Sequence, residues 1–301
     1  MLASTAAGLA LAGVKPIALA QSSGLANMGS AITSLLKPYN ITFAIIISWR
    51  TYKEGDSEVQ HKHLATQLPK LIDAYGYAYE LLDTNSVQTA VAQINASSTS
   101  HTICVLQKDT FSQVKLESKN TLDLSAHHKR SEYLLELNEH FANSEHIFIG
   151  TTGNTAREMY SFMSETKNFY MAGNMGGALS LGLGLALAGR RVFVCGGDAE
   201  FTMHQGGLAT AGRYKDLNIT YIVFDNEQNK STGGQASLQS HLDYVGIARA
   251  CGFNARNIKD LAHFKEFLHQ DALGLEFLHI KCDTDEQTPR PPLSVITINK
   301  I

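Results

Sequence analysis

Two oxygen-bearing side chains, Asp198 and Asn226, stand just after two apolar runs, Arg191-Val-Phe-Val-Cys195 and Ile219-Thr-Tyr-Ile-Val-Phe224. As neighbouring parallel strands these runs would present both side chains at the carboxyl edge of one sheet, where open α/β sheets bind ligands. Mg²⁺ takes about six oxygen ligands and is usually held by one or two protein oxygens, with phosphate and water completing the shell. The pair therefore reads as a magnesium-diphosphate clamp. Gly173 to Gly177 opens a helix after an extended segment, so that free backbone N–H groups can meet phosphate oxygens. A dinucleotide-binding Gly-x-Gly-x-x-Gly reading of the same glycines fails, because they are misplaced and no strand with a following acidic residue is present.

The elements that must carry these groups alternate. The first half reads as strand 17–21, helix about 25–36, strand 41–48, helix about 58–74, strand 77–81, helix about 84–95 and strand 101–106. This is the pattern of a parallel sheet covered on both faces. Residues 108–130 turn polar and read as a linker, with His127-His128 on a solvated surface. The second half reads as strand 146–150, helix 154–165, helix about 176–188, strand 191–195, helix about 200–213, strand 219–224, helices about 241–251 and 260–269, and strand 275–281. The fold class is α/β in two domains.

A length of 301 residues agrees with two domains of about 150 residues each. A net charge of −3 and a pI near 6.4 leave no electrostatic footprint for nucleic acid. Charged residues make up 18 %, below the roughly 25 % of typical domains, which fits an oligomer. The apolar stretch from Gly176 to Gly189 falls short of the about 20 residues needed to cross a bilayer, so a buried helix is predicted there and no membrane partner. Cys104, Cys195, Cys251 and Cys282 lie far apart without metal-site spacing and read as reduced, buried thiols of a cytoplasmic protein. Met1 to Ala20 is apolar and ends Ala18-Leu-Ala20 like a signal-peptidase site, but it lacks a basic start and is interrupted by Lys15-Pro16. A helix through Ala12, a turn at Gly13 and a buried strand Ile17–Gln21 are predicted instead.

The Gly197-Asp-Ala-Glu200 start followed by Asn226 resembles the cofactor motif of thiamine-diphosphate enzymes, with Ala199 where that family has Gly. Thr151-Thr-Gly-Asn-Thr-Ala-Arg-Glu158, Ala172-Gly-Asn-Met-Gly176, Met203-His-Gln-Gly-Gly-Leu-Ala-Thr210 and Ser231-Thr-Gly-Gly-Gln235 resemble the carboxyl half of phosphonopyruvate decarboxylases. Gln21-Ser-Ser-Gly24, Trp49-Arg50 and Val59-Gln-His61 resemble their pyrimidine-binding domain, so the likeness covers nearly the whole chain. Sulfopyruvate decarboxylases share the later glycine motifs and fit less well around Trp49-Arg50.

The resemblance implies two thiamine-diphosphate-fold domains, each a mainly parallel sheet flanked by helices: a pyrimidine domain over 1–107, a linker over 108–130 and a diphosphate domain over 131–301. It implies Mg²⁺ held by Asp198, Asn226 and Gln228, and thiamine diphosphate bound by Gln21, Ser22, Ser23, Thr152, Gly153, Gly173, Asn174, Met175, Gly197, Ala199 and Glu200. Met175 would lie beneath the cofactor and bend its rings together. Arg50, at a strand end, and Gln235 would meet the anionic groups of a small 2-oxo acid, and His61 is a proton-transfer candidate. The implied reaction is decarboxylation of 3-phosphonopyruvate to phosphonoacetaldehyde, with sulfopyruvate or another 2-oxo acid as the alternative substrate, in a homodimer or larger assembly whose sites form between subunits. Two departures stand out: Asn174 and Gly177 replace the usual Ser and His. A third concerns the family's activating glutamate, whose position falls before Met1 together with a first strand and helix. The chain is thus expected to be truncated, or to be a poorly active paralogue or non-catalytic pairing subunit.

Overall fold

The computed structural model describes residues 1–50, 59–112, 114, 122–284 and 288–292. They form two compact units, Met1–Val114 and Lys115–Ile301.

The first unit runs α1 (Leu2–Leu11), β1 (Ile17–Gln21), α2 (Ser22–Asn27) and α3 (Gly29–Ala31), which passes into a π-helical turn over Ile32–Leu36. It continues with β2 (Ala44–Ser48), α4 (Val59–Ala74), β3 (Ala78–Leu81), α5 (Val87–Ser97) and β4 (Thr102–Leu106). The four strands are parallel in the order β1-β2-β4-β3. Continuous apolar sequence puts β2 at the centre, with Ala44 to Ile47 all buried, as strands covered on both faces require. The predicted burial of β1 is corrected: it is an edge strand in which Ala18 is buried while Ile17 and Leu19 are exposed. The predicted 25–36 helix starts three residues earlier and breaks at Met28.

The second unit carries α6 (Arg130–His140), β5 (Ile147–Gly150), α7 (Asn154–Phe162), β6 (Lys167–Tyr170), α8 (Ala178–Leu187), β7 (Val192–Gly197), α9 (Asp198–Met203), α10 (Gly206–Ala211) and β8 (Ile219–Asp225). A short hairpin of β9 (Gln228–Asn229) and β10 (Gln235–Ala236) follows, then α11 (Tyr244–Ala250), β11 (Asn254–Ile258), α12 (Leu261–His269) and β12 (Leu275–Lys281). Six parallel strands lie in the order β11-β12-β8-β7-β5-β6. All seven residues of β8 are buried. Alternation sends Tyr221 and Val223 to one core with Val194 and Phe277, and Ile222 and Phe224 to the other with Phe193 and Leu278. Helices α8, α10 and α11 cover the first face, and α6, α7 and α12 the second.

Several elements differ from the sequence reading. Arg130 is not the end of a solvated linker but the buried first residue of α6, its backbone N–H donating to the Asp283 carbonyl (2.8 Å). The single helix predicted over 200–213 is two, α9 and α10, separated by His204-Gln205. Strands β6 and β11 carry polar sequence and were not predicted. The four cysteines are free, and Cys104, Cys195 and Cys282 are buried. Among the described residues no helix is long and apolar enough to cross a membrane.

Packing decides which glycines can change. A Cβ on Gly212, at the end of α10, would stand 1.7 Å from the Cys251 carbonyl oxygen, whereas one on Gly184, exposed in mid-α8, meets nothing within 4 Å. Gly212→Ala should lower stability by about 1–3 kcal/mol or more through overpacking, and Gly184→Ala should raise it by roughly 0.5–1 kcal/mol. Urea unfolding midpoints of the two variants test the contrast.

Candidate active site

The parallel register brings the ends of β5, β7 and β8 to one edge, with Gly150 beside Cys195 and Gly197 beside Phe224. From β5 the chain crosses outward to β6, and from β7 it crosses the other way to β8, so the two neighbours diverge at their carboxyl ends. That switch point is where open α/β sheets leave a crevice. A cleft lies there, lined by Thr151 and Thr152 after β5, Gly197 and Asp198 at the end of β7, and Asn226 and Gln228 after β8.

Asp198 is only 4 % exposed. Its Oδ2 accepts from the Ser237 hydroxyl (2.8 Å), and Ser237 N–H donates to the Glu227 carbonyl (2.8 Å), which ties the hairpin region to the end of β7. Burial pushes the Asp198 carboxyl up from its ordinary pKa, with hydrogen bonds from Ser237 and the Ala199 backbone pulling the other way. The neighbouring Asp225 is treated differently. Burial would raise it too, but His279 (3.0 Å) and Lys281 (3.4 Å) reach its Oδ2 and hold its carboxyl below the ordinary value. His279 is itself fixed by Asn257 Oδ1 (2.8 Å) and a stacked Tyr244 ring. Asn226 is buried, its Oδ1 weakly held by Gln228 N–H (3.5 Å), while the Gln228 side chain donates to the Leu122 carbonyl (3.2 Å).

The opposite wall offers donors. Thr151 is buried with its hydroxyl unpartnered among the described residues, a costly state that an acceptor in the cleft relieves. Gly153 caps α7 at φ 97°, a conformation L side chains rarely adopt. Asn154 and Thr155 at the helix start also line the cleft, where unbonded N–H groups favour anions. The Thr152 hydroxyl donates to the Ala172 carbonyl (2.9 Å) and so ties this loop to the Gly173–Gly177 segment. Within that segment Met175 is half-buried on the cleft and belongs to none of the core clusters. Asn174 has φ 57°, and a Cβ on Gly177 would stand 2.2 Å from its Nδ2. The Asn174 amide thus lies next to the position a side chain at 177 would start from. Ala199 lies in the first turn of α9 on the cleft wall.

Glu200 lines the cleft as well; it is 2 % exposed, and its Oε2 accepts from the buried Tyr221 hydroxyl (2.7 Å). Gln235 is exposed, and its amide donates to Thr232 Oγ1 (2.9 Å) within the hairpin loop. In the first unit Gln21 closes β1, the buried Ser22 has an unpartnered hydroxyl, and Ser23 donates to Gln21 Oε1 (2.7 Å). Arg50 follows β2 and is half-buried. His61 lies on α4, which Trp49 joins through a bond from Nε1 to the Ala65 carbonyl (2.8 Å). Sequence reasoning missed several cleft residues, among them Asn229, Lys230 and, most sharply, Arg130. Arg130, 4 % exposed, forks onto Glu158 through Nε (2.7 Å) and Nη2 (2.6 Å). Nothing in its polar flank signalled burial.

Residues 149–279 match the family described as "Thiamine pyrophosphate enzyme, C-terminal TPP binding domain". The chain is 31 % identical over 271 residues to a phosphonopyruvate decarboxylase from Streptomyces viridochromogenes, covering 84 % of this chain and 68 % of that protein. The chain belongs to the phosphonopyruvate decarboxylase family of thiamine-diphosphate enzymes. A second phosphonopyruvate decarboxylase, from Streptomyces hygroscopicus, is 30 % identical with the same coverage. The sulfopyruvate decarboxylase subunit beta of Methanothermobacter thermautotrophicus is 36 % identical over 137 residues, 45 % of this chain and 73 % of that subunit. Members of the family are decarboxylases, that is, carbon–carbon lyases. Apart from Arg130, the residues lining the crevice fall within the part matched by the thiamine pyrophosphate domain.

Removing one partner of the Arg130–Glu158 pair leaves a buried charge uncompensated. Glu158→Ala should cost about 3–5 kcal/mol, while the apolar double replacement Arg130→Met with Glu158→Leu should recover most of that loss. Denaturant unfolding of the single and double variants measures both.

Proposed function

We propose that this chain binds thiamine diphosphate through Mg²⁺ and decarboxylates 3-phosphonopyruvate to phosphonoacetaldehyde, a proton taking the place of the departing CO₂. The observation that carries the reading is the convergence of Asp198 and Asn226 on one crevice, opposite the unpartnered Thr151 hydroxyl and the start of α7. The donor set suits the metal. One carboxylate and neutral oxygens fit a hard cation that keeps phosphate and water ligands, and among the described residues no cluster of three His, Cys, Asp or Glu side chains competes for a softer one. When bound, the cofactor supplies the nucleophile and the electron sink that a 2-oxo acid needs to lose CO₂.

The chain's own groups bind and orient. Asp198, Asn226 and Gln228 hold the cation; Thr151, Thr152, Gly153, Gly197 and Ala199 receive the diphosphate; Gly173, Asn174 and Met175 support the cofactor from below. Gln21, Ser22 and Ser23 meet the pyrimidine side in a homo-oligomer, and Arg50 and Gln235 hold the substrate's anionic groups with His61 serving in proton transfer. Residues 1–107 act as the pyrimidine domain and 131–301 as the diphosphate domain, in the cytoplasm. The 31 % identity along 84 % of the chain supports a phosphonate substrate. The higher identity to the sulfopyruvate subunit over the second half makes sulfopyruvate the competing substrate.

Calorimetric titration with thiamine diphosphate should show binding only with Mg²⁺ present. Asp198→Asn should abolish it, and Asn226→Ala should weaken it less. Folding favours the protonated form of a carboxyl whose pKa is raised in the native state, so ionised Asp198 works against the metal-free fold at neutral pH. The metal-free Asp198→Asn protein should therefore melt no lower than its parent. Undiminished affinity in Asp198→Asn would remove the clamp.

Steady-state kinetics with phosphonopyruvate, sulfopyruvate and pyruvate should rank phosphonopyruvate first by kcat/KM. Arg50→Ala should raise KM for it by about tenfold, the loss expected for one charge-assisted contact, while leaving cofactor affinity unchanged. An unaltered KM would make Arg50 structural.

A further inference from the structure

The cleft's charges do not balance once a diphosphate is placed in it. Among the described residues Arg130 and Lys230 are the basic side chains lining the cleft, and Asp198 and Glu200 the acidic ones. The Arg130 guanidinium is forked onto Glu158, so that pair contributes little net charge. A diphosphate brings more negative charge than one divalent cation cancels, and Asp198 adds another carboxylate beside it. Burying such a surplus is unfavourable unless a further cation faces it.

Lys230 meets that need by position. It lies in the loop between β9 and β10, where the Asn229 carbonyl accepts from both Thr232 N–H and Gly234 N–H (3.0 Å each) and thereby fixes the turn. The next residue, Ser231, packs across from Gly153 at the start of α7, with its side chain 3.6 Å from where a Cβ on Gly153 would stand. Lys230 is half-buried on the cleft wall and makes no hydrogen bond or ion pair with another described residue. We infer that Lys230 is the counter-charge of the bound diphosphate, an affinity-determining residue that a neutral side chain at this position would not replace. The inference rests on the cleft being the diphosphate site.

The test is calorimetric titration of the full chain and its K230Q and K230R variants with two probes, Mg²⁺–thiamine diphosphate and Mg²⁺–inorganic pyrophosphate, at low and high salt. K230Q should bind both probes about tenfold more weakly at low salt. Its affinity should also fall less steeply with salt, because an attraction between charges has been removed. K230R should retain most of the affinity. All three proteins should melt at the same temperature without ligand, since Lys230 supports no contact within the fold. If the parent binds both probes and K230Q matches it in affinity and salt dependence, Lys230 is a solvated lysine and the inference falls alone. A parent that binds neither probe overturns the reading of the cleft, and the role of Lys230 with it.

Discussion

An ionised carboxylate taken out of water must be met by positive charge or by donors, and Asp198 is held at the end of a central strand with the Ser237 hydroxyl and the Ala199 backbone N–H as its donors. Much of the second unit is arranged around that demand. The parallel pairing of β7 with β8 brings Asn226 to the same edge. The Ser237 bond draws the hairpin region over the carboxylate. The contrast with Asp225 is informative, because two carboxylates stand at neighbouring strand ends and His279 and Lys281 reach one of them. Asp198 instead has Ser237 and the Ala199 backbone as its donors and lines the cleft.

How far this was legible in the sequence depended on burial. Strands covered on both faces announce themselves as unbroken apolar runs, so β7, β8 and β12 could be placed with boundaries close to those observed, and with them Asp198 and Asn226. Helix α6 escaped because Tyr133, Leu134 and Leu137 are its buried apolar face among Glu, Asn and His, a weak pattern next to a polar segment. Arg130 and Glu158 escaped for a stronger reason. Each reads alone as a surface charge, and only the approach of α6 to α7 makes them a buried pair. Contacts that join residues distant in sequence leave no mark in local periodicity.

The glycine-rich segment shows what local sequence can and cannot tell. Between an extended stretch and a helix, Asn174 and Gly176 take positive φ. Local sequence does not show that the Asn174 amide lies 2.2 Å from where a Cβ on Gly177 would stand.

The six-stranded sheet ends in β11 and β6, whose sequences are Asn-Ala-Arg-Asn-Ile and Lys-Asn-Phe-Tyr. Their polarity is what hid them from a search for apolar runs. It also has a protective consequence. A sheet edge displays unpaired backbone groups to every chain it encounters, and an apolar edge invites a foreign strand to extend the sheet into an aggregate. On β11, Asn254 and Arg256 bind Glu276 of the adjoining strand (2.7 and 2.9 Å), so the outermost strand is held inward by its side chains as well as its backbone. The residues least informative about the fold are thus among those that keep it from spreading beyond one molecule.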